Sequence, residues 1–148
     1  QEEHTRLRIV GRHPTAPVPN LVATTPAAEL HADVPDPGVY MRHSSVAVNP
    51  AVSGSGVNIK LVEYLSVGIP VVSTSKGQAG VGLTPGVDLR VADDPANFAE
   101  QVNHLLASPG DAERLGASGL ATATRILDVR ASLATMADLM DRPPAGAR

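Results

Sequence analysis

Cysteine is absent from the 148 residues, and its absence excludes thiol catalysis, iron–sulfur clusters, cysteine-based zinc sites and a disulfide scaffold. Tryptophan is absent as well, and the aromatic share is 2%: Tyr40, Tyr64 and Phe98. Single-stranded nucleic acid is held on stacked aromatic platforms, which so few rings do not build. A surplus of positive charge is also lacking. Lys and Arg total 12 against 15 Asp and Glu, a formal net charge of −3, the wrong sign for a general phosphate-backbone binder. No apolar run approaches the roughly 20 residues of a membrane span. The start, Gln1-Glu2-Glu3-His4, is polar and acidic, unlike a secretory signal, so the expected compartment is the cytoplasm. It lacks an initiating Met, as expected of a fragment or a trimmed chain.

What is present suits one ordinary domain. Apolar residues make up 43% and charged residues 18%. A chain of this length buries roughly 68–70% of its unfolded surface, so no staple is needed. Short apolar runs alternate with helical patterns. Residues 7–10 read as a strand, and 12–20, with three prolines, as a loop followed by at most one helical turn at Leu21-Val22-Ala23. Ala28–Ala32 reads as a weak strand. Asp36 with Pro37 reads as an N-cap and first helical position, opening a short helix through Tyr40.

Residues 45–49 form a strand stopped by Pro50, and 51–56 a flexible glycine loop. Residues 57–67 form a helix ending at Gly68, and 69–74 a β-branched strand. A second glycine loop spans 76–82, and 87–92 is a further strand. Asp94 and Pro95 open a helix whose stripe is Phe98, Val102, Leu105 and Leu106. Helices over 110–126 and 129–140 follow, then a Pro/Gly/Ala tail.

Continuous apolar strands joined by crossover helices predict an α/β fold, a Rossmann-like doubly wound parallel sheet. Strands 45–49 and 69–74 are expected side by side at its centre, joined by helix 57–67. In such sheets ligands bind beyond the carboxyl ends of the strands, where both glycine loops fall.

The loop before helix 57–67 carries the chemistry. Gly54 and Gly56 have no Cβ, so an anion can approach backbone N–H groups at the helix start. Lys60 and Glu63 lie three apart, hence on one face. An ammonium suits a phosphate, and a carboxylate suits a pair of sugar hydroxyls. The competing reading is plain: the glycines form a turn, and Lys60 with Glu63 is a surface ion pair worth less than ~1 kcal/mol. The P-loop pattern fails, because Lys60 is followed by Leu61, and the dinucleotide fingerprint fails at Ile59. The histidines are not spaced as metal ligands, and Asp93-Asp94 reads first as a helix cap.

The run Gly54-Ser-Gly-Val-Asn-Ile-Lys-Leu-Val-Glu-Tyr-Leu-Ser-Val-Gly68-Ile-Pro-Val-Val-Ser-Thr74 resembles the signature of the group 1, family 4 retaining glycosyltransferases. Ile9-Val10-Gly11, Val34-Pro35-Asp36 with Tyr40, and Val91-Ala92-Asp93-Asp94-Pro95 with Phe98-Ala99 agree with it, and the likeness covers roughly residues 7–140. It implies the C-terminal, donor-binding half of a two-domain enzyme of the GT-B type. Residues 1–141 are then a partial nucleotide-sugar binding domain and 142–148 a disordered tail.

The implied reaction is transfer of a hexosyl unit, with retention, from a nucleoside diphosphate sugar of the UDP or GDP type. Glu63 would bind the ribose, Gly54, Ser55 and Gly56 would face the sugar and diphosphate, and the turn at Val34 would lie against the base. Lys60 would serve the diphosphate or steady the loop. No catalytic residue, cofactor or metal is implied. The family's paired glutamates would fall on positions 55 and 63, and the first is Ser55 here.

The acceptor domain and the first strand of the donor domain are expected to lie outside this chain. The isolated chain is therefore expected to be inactive, with any contact to the inner membrane face made through the missing domain. The alternative is a non-catalytic nucleotide-binding or interaction fragment of the same fold. A receiver-type signalling domain fits poorly, since Gly11-Arg12 follows the first strand and Asn49 ends the 45–49 strand where acidic residues are needed. A UDP-sugar epimerase is the weakest alternative.

Overall fold

A computed structural model of the chain describes residues 5–54 and 56–128. The helix expected over 129–140 and the tail expected at 142–148 lie outside the described residues. The chain divides into two compact units, Gln1–Ser44 and Ser45–Arg148.

The first unit runs β1 (Leu7–Gly11), α1 (Pro17–Ala23), β2 (Ala28–Ala32), α2 (Pro37–Arg42). β1 and β2 pair in parallel, Leu7 opposite Ala28 and Gly11 opposite Ala32. Helix α1 begins inside the segment expected to be a loop. Pro17 and Pro19 occupy its first turn, where a missing N–H costs nothing because those groups have no intrahelical acceptor. Asp36 caps α2 as expected, its carboxylate accepting from the Gly38 N–H at 2.8 Å. Arg6 and Arg8 both reach Glu29 on β2. The Arg6 hydrogen bond, then that of His31, holds the Glu29 carboxyl below its ordinary pKa. The rings of His31 and Tyr40 lie 4.5 Å apart.

The second unit runs β3 (Ala47–Asn49), α3 (Ile59–Ser66), β4 (Val71–Ser73), α4 (Ser75–Gln78), β5 (Arg90–Val91), α5 (Pro95–Ala107), α6 (Pro109–Ile126). Its sheet has the order β3-β4-β5 and is parallel throughout, with Ala47 opposite Val71 and Val72 opposite Arg90. The expected neighbours are therefore parallel neighbours, joined by the expected helix. β4 is the middle strand and β3 flanks it, and the described strands form two sheets, β1-β2 and β3-β4-β5. The architecture is α/β with parallel strands in both units.

Elements of this unit depart from their sequence patterns for local reasons. α3 starts at Ile59 rather than at 57, because Asn58 is its N-cap and accepts from the Leu61 N–H. β5 starts at Arg90 rather than at 87. The preceding residues are held in a turn, with the Val87 and Asp88 N–H groups bonded to the Thr84 carbonyl and the Asp88 carboxylate accepting from the Thr84 N–H at 2.9 Å. The second glycine loop contains the short helix α4, which the sequence pattern hides behind Gly77 and Gly80. The cap at Asp94 is as expected, its Oδ1 accepting from the N–H groups of Ala96 and Asn97 at 3.0 Å each.

Val71, Val72, Leu61, Leu65, Leu89, Leu105 and Leu115 are fully or almost fully buried. Val72, Leu105 and Leu115 pack together, with Val46, Phe98, Val102 and Ala112 against them. α6 packs on α3 through two glycines. A Cβ on Gly116 would stand 2.2 Å from the Gly68 carbonyl oxygen, and one on Gly119 would stand 2.6 Å from Leu65 Cδ2. Backbone, not a flexible side chain, blocks the first position. Gly68 itself has φ +75, the conformation that ends α3 at little cost only as glycine.

Gly116→Ala should therefore destabilise the fold by about 1–3 kcal/mol or more, as overpacked cores do. Gly110→Ala, on the same helix with nothing within 4 Å of the added Cβ, should be neutral or stabilising. Denaturant titration of both variants checks this. Equal losses would contradict the packing account.

Candidate functional site

The site is built around the carboxyl ends of β3 and β4. Asn49 ends β3 with only 7% of its surface exposed. Its amide Nδ2 donates to Ser73 Oγ at 3.1 Å and to the Gly77 carbonyl at 3.2 Å. Its Oδ1 accepts from Asn58 Nδ2 at 3.0 Å. One buried side chain thus ties β4, α4 and the cap of α3 together. Thr74 makes a second tie. Its Oγ1 donates to the Ala51 carbonyl and accepts from the Gly77 N–H at 2.9 Å. A third comes from Asp93, which accepts from the Ser75 N–H at 2.8 Å and the Ser75 hydroxyl at 2.7 Å. Those two bonds hold the Asp93 carboxyl below its ordinary pKa.

Gly77 is required by this closeness. A Cβ there would stand 2.6 Å from Asn49 Nδ2 and 2.7 Å from Ser73 Oγ. The glycines of the first loop are required for a different reason. Gly54 and Gly56 have φ of +120 and +91, a region other residues rarely adopt, and nothing lies within 4 Å of an added Cβ. Their backbone is bare toward the open side.

Between the two loops lies a cavity of about 350 Å³, lined by Ser53, Gly54, Gly56 and Asn58 on one side and by Lys76, Gly77 and Gly80 on the other. Its walls are backbone, small side chains and one ammonium. That composition suits a polar, anionic ligand approached through N–H groups at the start of a helix. The two glycine loops expected at strand ends are thus brought together.

The other candidate residues fall elsewhere. Lys60 and Glu63 lie on the exposed side of α3, bonded to each other at 2.7 Å, and neither lines the cavity. Val34 follows Asp33, a residue with φ 53, between β2 and α2 in the first unit. Ser55 lies outside the described residues. Asn49, Asn58, Thr74, Lys76 and Gly77 were not singled out by sequence reasoning as site residues. Asn58 had a visible signal, an Asn directly before an apolar helical run. The others depend on contacts between segments far apart in the chain.

A second hollow, about 370 Å³, is lined by Arg90, Glu100, Gln101 and His104. Its arginine is already bonded to Asp111, which also takes Arg114 and His104. Arg114 first, then Arg90, hold the Asp111 carboxyl far below the ordinary range. This is an ion-pair cluster tying α6 to β5 and α5. Among the described residues no cluster of three His, Asp or Glu is placed to hold a metal. No described helix is long and apolar enough to cross a membrane.

Asn49→Ala should cost about 1–3 kcal/mol or more, because it strands several buried partners at once. Hydrogen exchange should show the loss first at the Leu61 and Gly77 amides, whose acceptors the network positions. Unchanged protection at both amides would contradict the role given to Asn49.

Comparison with known proteins agrees with this geometry. The model of the glycosyl transferases group 1 family matches residues 1–108. No curated protein matches the chain. Among solved structures, Anabaena HepE in complex with UDP superimposes with a TM-score of 0.78 at 16% identity, covering 92% of this chain and 40% of that one. HepE has also been solved with UDP-glucose. Sucrose-phosphate synthase from Thermosynechococcus elongatus gives a TM-score of 0.73 at 20% identity, covering 91% of this chain and 37% of that one. The C-terminal domain of LpcC, a group 1 family glycosyl transferase of Francisella tularensis, gives 0.61 at 11% identity, covering 72% of this chain and 56% of that one. The chain thus spans about 40% of the length of HepE, and at these identities the likeness establishes the fold. With its parallel α/β units, its glycine loops at the strand ends and the family match over residues 1–108, the chain belongs to the group 1 glycosyl transferases.

Proposed function

We propose that this chain is the donor-binding part of a glycosyltransferase that moves a hexosyl unit, with retention, from a nucleoside diphosphate sugar of the UDP or GDP type to an acceptor. The observation that carries the reading is the cavity at the carboxyl ends of β3 and β4, walled by the bare backbone of Gly54 and Gly56. Oriented N–H groups there, together with the first turn of α3, favour phosphate oxygens. Residues 1–141 form the donor domain in this reading, and Ser55 joins Gly54 and Gly56 in facing the sugar and diphosphate. The UDP and UDP-glucose complexes of HepE support the choice of ligand class.

Glu63 is the ribose ligand in this reading. Its carboxylate is exposed and held by Lys60, an exposed ion pair that costs little to exchange for two ribose hydroxyls. Lys60 then steadies the carboxylate. The Val34 turn offers backbone groups to the base. Acceptor contacts and part of the diphosphate site are supplied from outside this chain, so the isolated chain binds donor without turning it over. The share of HepE that the chain covers supports that division.

Calorimetric titration of wild type and Glu63→Gln with UDP, GDP and inorganic pyrophosphate tests the reading. A lost charged hydrogen bond is worth ~1.5–3 kcal/mol, so the variant should bind the nucleotide roughly ten-fold more weakly or worse. Pyrophosphate, which has no ribose, should be little affected. A variant that loses nothing with either nucleotide leaves Glu63 as the ion-pair partner of Lys60 alone, and the ribose assignment fails. Equal weakening of nucleotide and pyrophosphate would mean that the substitution disturbs the loop.

A further inference from the structure

A diphosphate carries more charge than backbone N–H groups alone offset, and the sequence holds two lysines to help, Lys60 and Lys76. Sequence spacing favours Lys60. The structure favours the other. Lys60 is bonded to Glu63 at 2.7 Å and does not line the cavity. Lys76 lines it, on the wall opposite Gly54 and Gly56, and forms no ion pair among the described residues.

The base of Lys76 is also fixed on both sides. Ser75 before it is held by Asp93 through both its N–H and its hydroxyl. Gly77 after it donates its N–H to Thr74 Oγ1 and accepts from Asn49 Nδ2. A short backbone segment clamped at each end carries a long, exposed, flexible ammonium at the mouth of a polar cavity. The backbone is set before ligand arrives, so only the side chain must be ordered.

We propose that Lys76 is the cation this chain contributes to the diphosphate of the bound nucleotide sugar, and that Lys60 contacts no phosphate. This rests on the donor-site reading above and adds the residue that reads the ligand's charge. It predicts a pattern across ligands and variants. Lys76→Met should weaken UDP and inorganic pyrophosphate alike, by about ten-fold, since both present the same phosphates. Lys76→Arg should retain most of the affinity. Lys60→Met should leave pyrophosphate binding within about two-fold of wild type.

The test is calorimetric titration of the full chain and these three variants with UDP and with pyrophosphate, at low and at physiological salt. The salt dependence should flatten in Lys76→Met and persist in Lys60→Met, because the charge that salt screens has been removed from the site only in the first. If wild type binds UDP and pyrophosphate, and Lys76→Met binds both as tightly while Lys60→Met loses them, Lys76 is not the diphosphate cation and the donor-site reading stands. If wild type binds neither ligand, the donor-site reading fails and this assignment falls with it. Loss in Lys76→Met that Lys76→Arg does not recover would overturn a role for charge.

Discussion

The arrangement depends on one buried amide. Asn49 sits at the end of β3, almost without solvent, and its side chain satisfies partners on β4, α4 and the α3 cap together. Each partner would be costly to bury alone. The same group that closes the end of the sheet therefore sets the distance between the two loops beyond it. Gly77 is the corollary: a side chain there would collide with Asn49, so only glycine lets the second loop lie this close. The opening between the loops is a consequence of how a polar network is satisfied inside an apolar layer.

Charge is divided in a way that serves the opening. An ion-pair cluster centred on Asp111 of α6 engages Arg90, Arg114 and His104 away from the opening. Lys60 is neutralised by Glu63 on the outer face of α3. Lys76 stands on the cavity wall without such a partner among the described residues. In a chain of net charge −3, the one lysine on the cavity lining is thus a local positive charge. The small residues of α6 contribute at a distance. Gly116 and Gly119 let that helix lie against the end of α3 and Leu65, which steadies the helix whose cap faces the cavity.

Much of this was legible in the sequence where local rules decide. The caps at Asp36 and Asp94, the stop at Gly68, and the alternation of strand, glycine loop and helix are short-range matters of capping, φ and apolar period. So was the pairing of Lys60 with Glu63, three residues apart. The misreadings come where a local signal has two outcomes. Three prolines before Leu21 read as a loop, yet two of them sit in the first turn of α1, the one place in a helix that tolerates them. The segment after Val87 reads as strand, yet the Asp88 turn claims its start. Lys76 was hidden for another reason. Its importance comes from Asn49, whose bond to Gly77 spans 28 positions, and no window of neighbouring residues reports which loop will fold against which.

The most direct measurement is amide chemical-shift mapping of the isotope-labelled chain during titration with UDP. The account predicts that the largest changes fall on the Gly54, Gly56, Gly77 and Gly80 amides, on opposite walls of one cavity, with the Lys76 amide moving in step with them. Changes centred instead on Arg90 and His104, or spread evenly over the surface with none at the glycines, would contradict it.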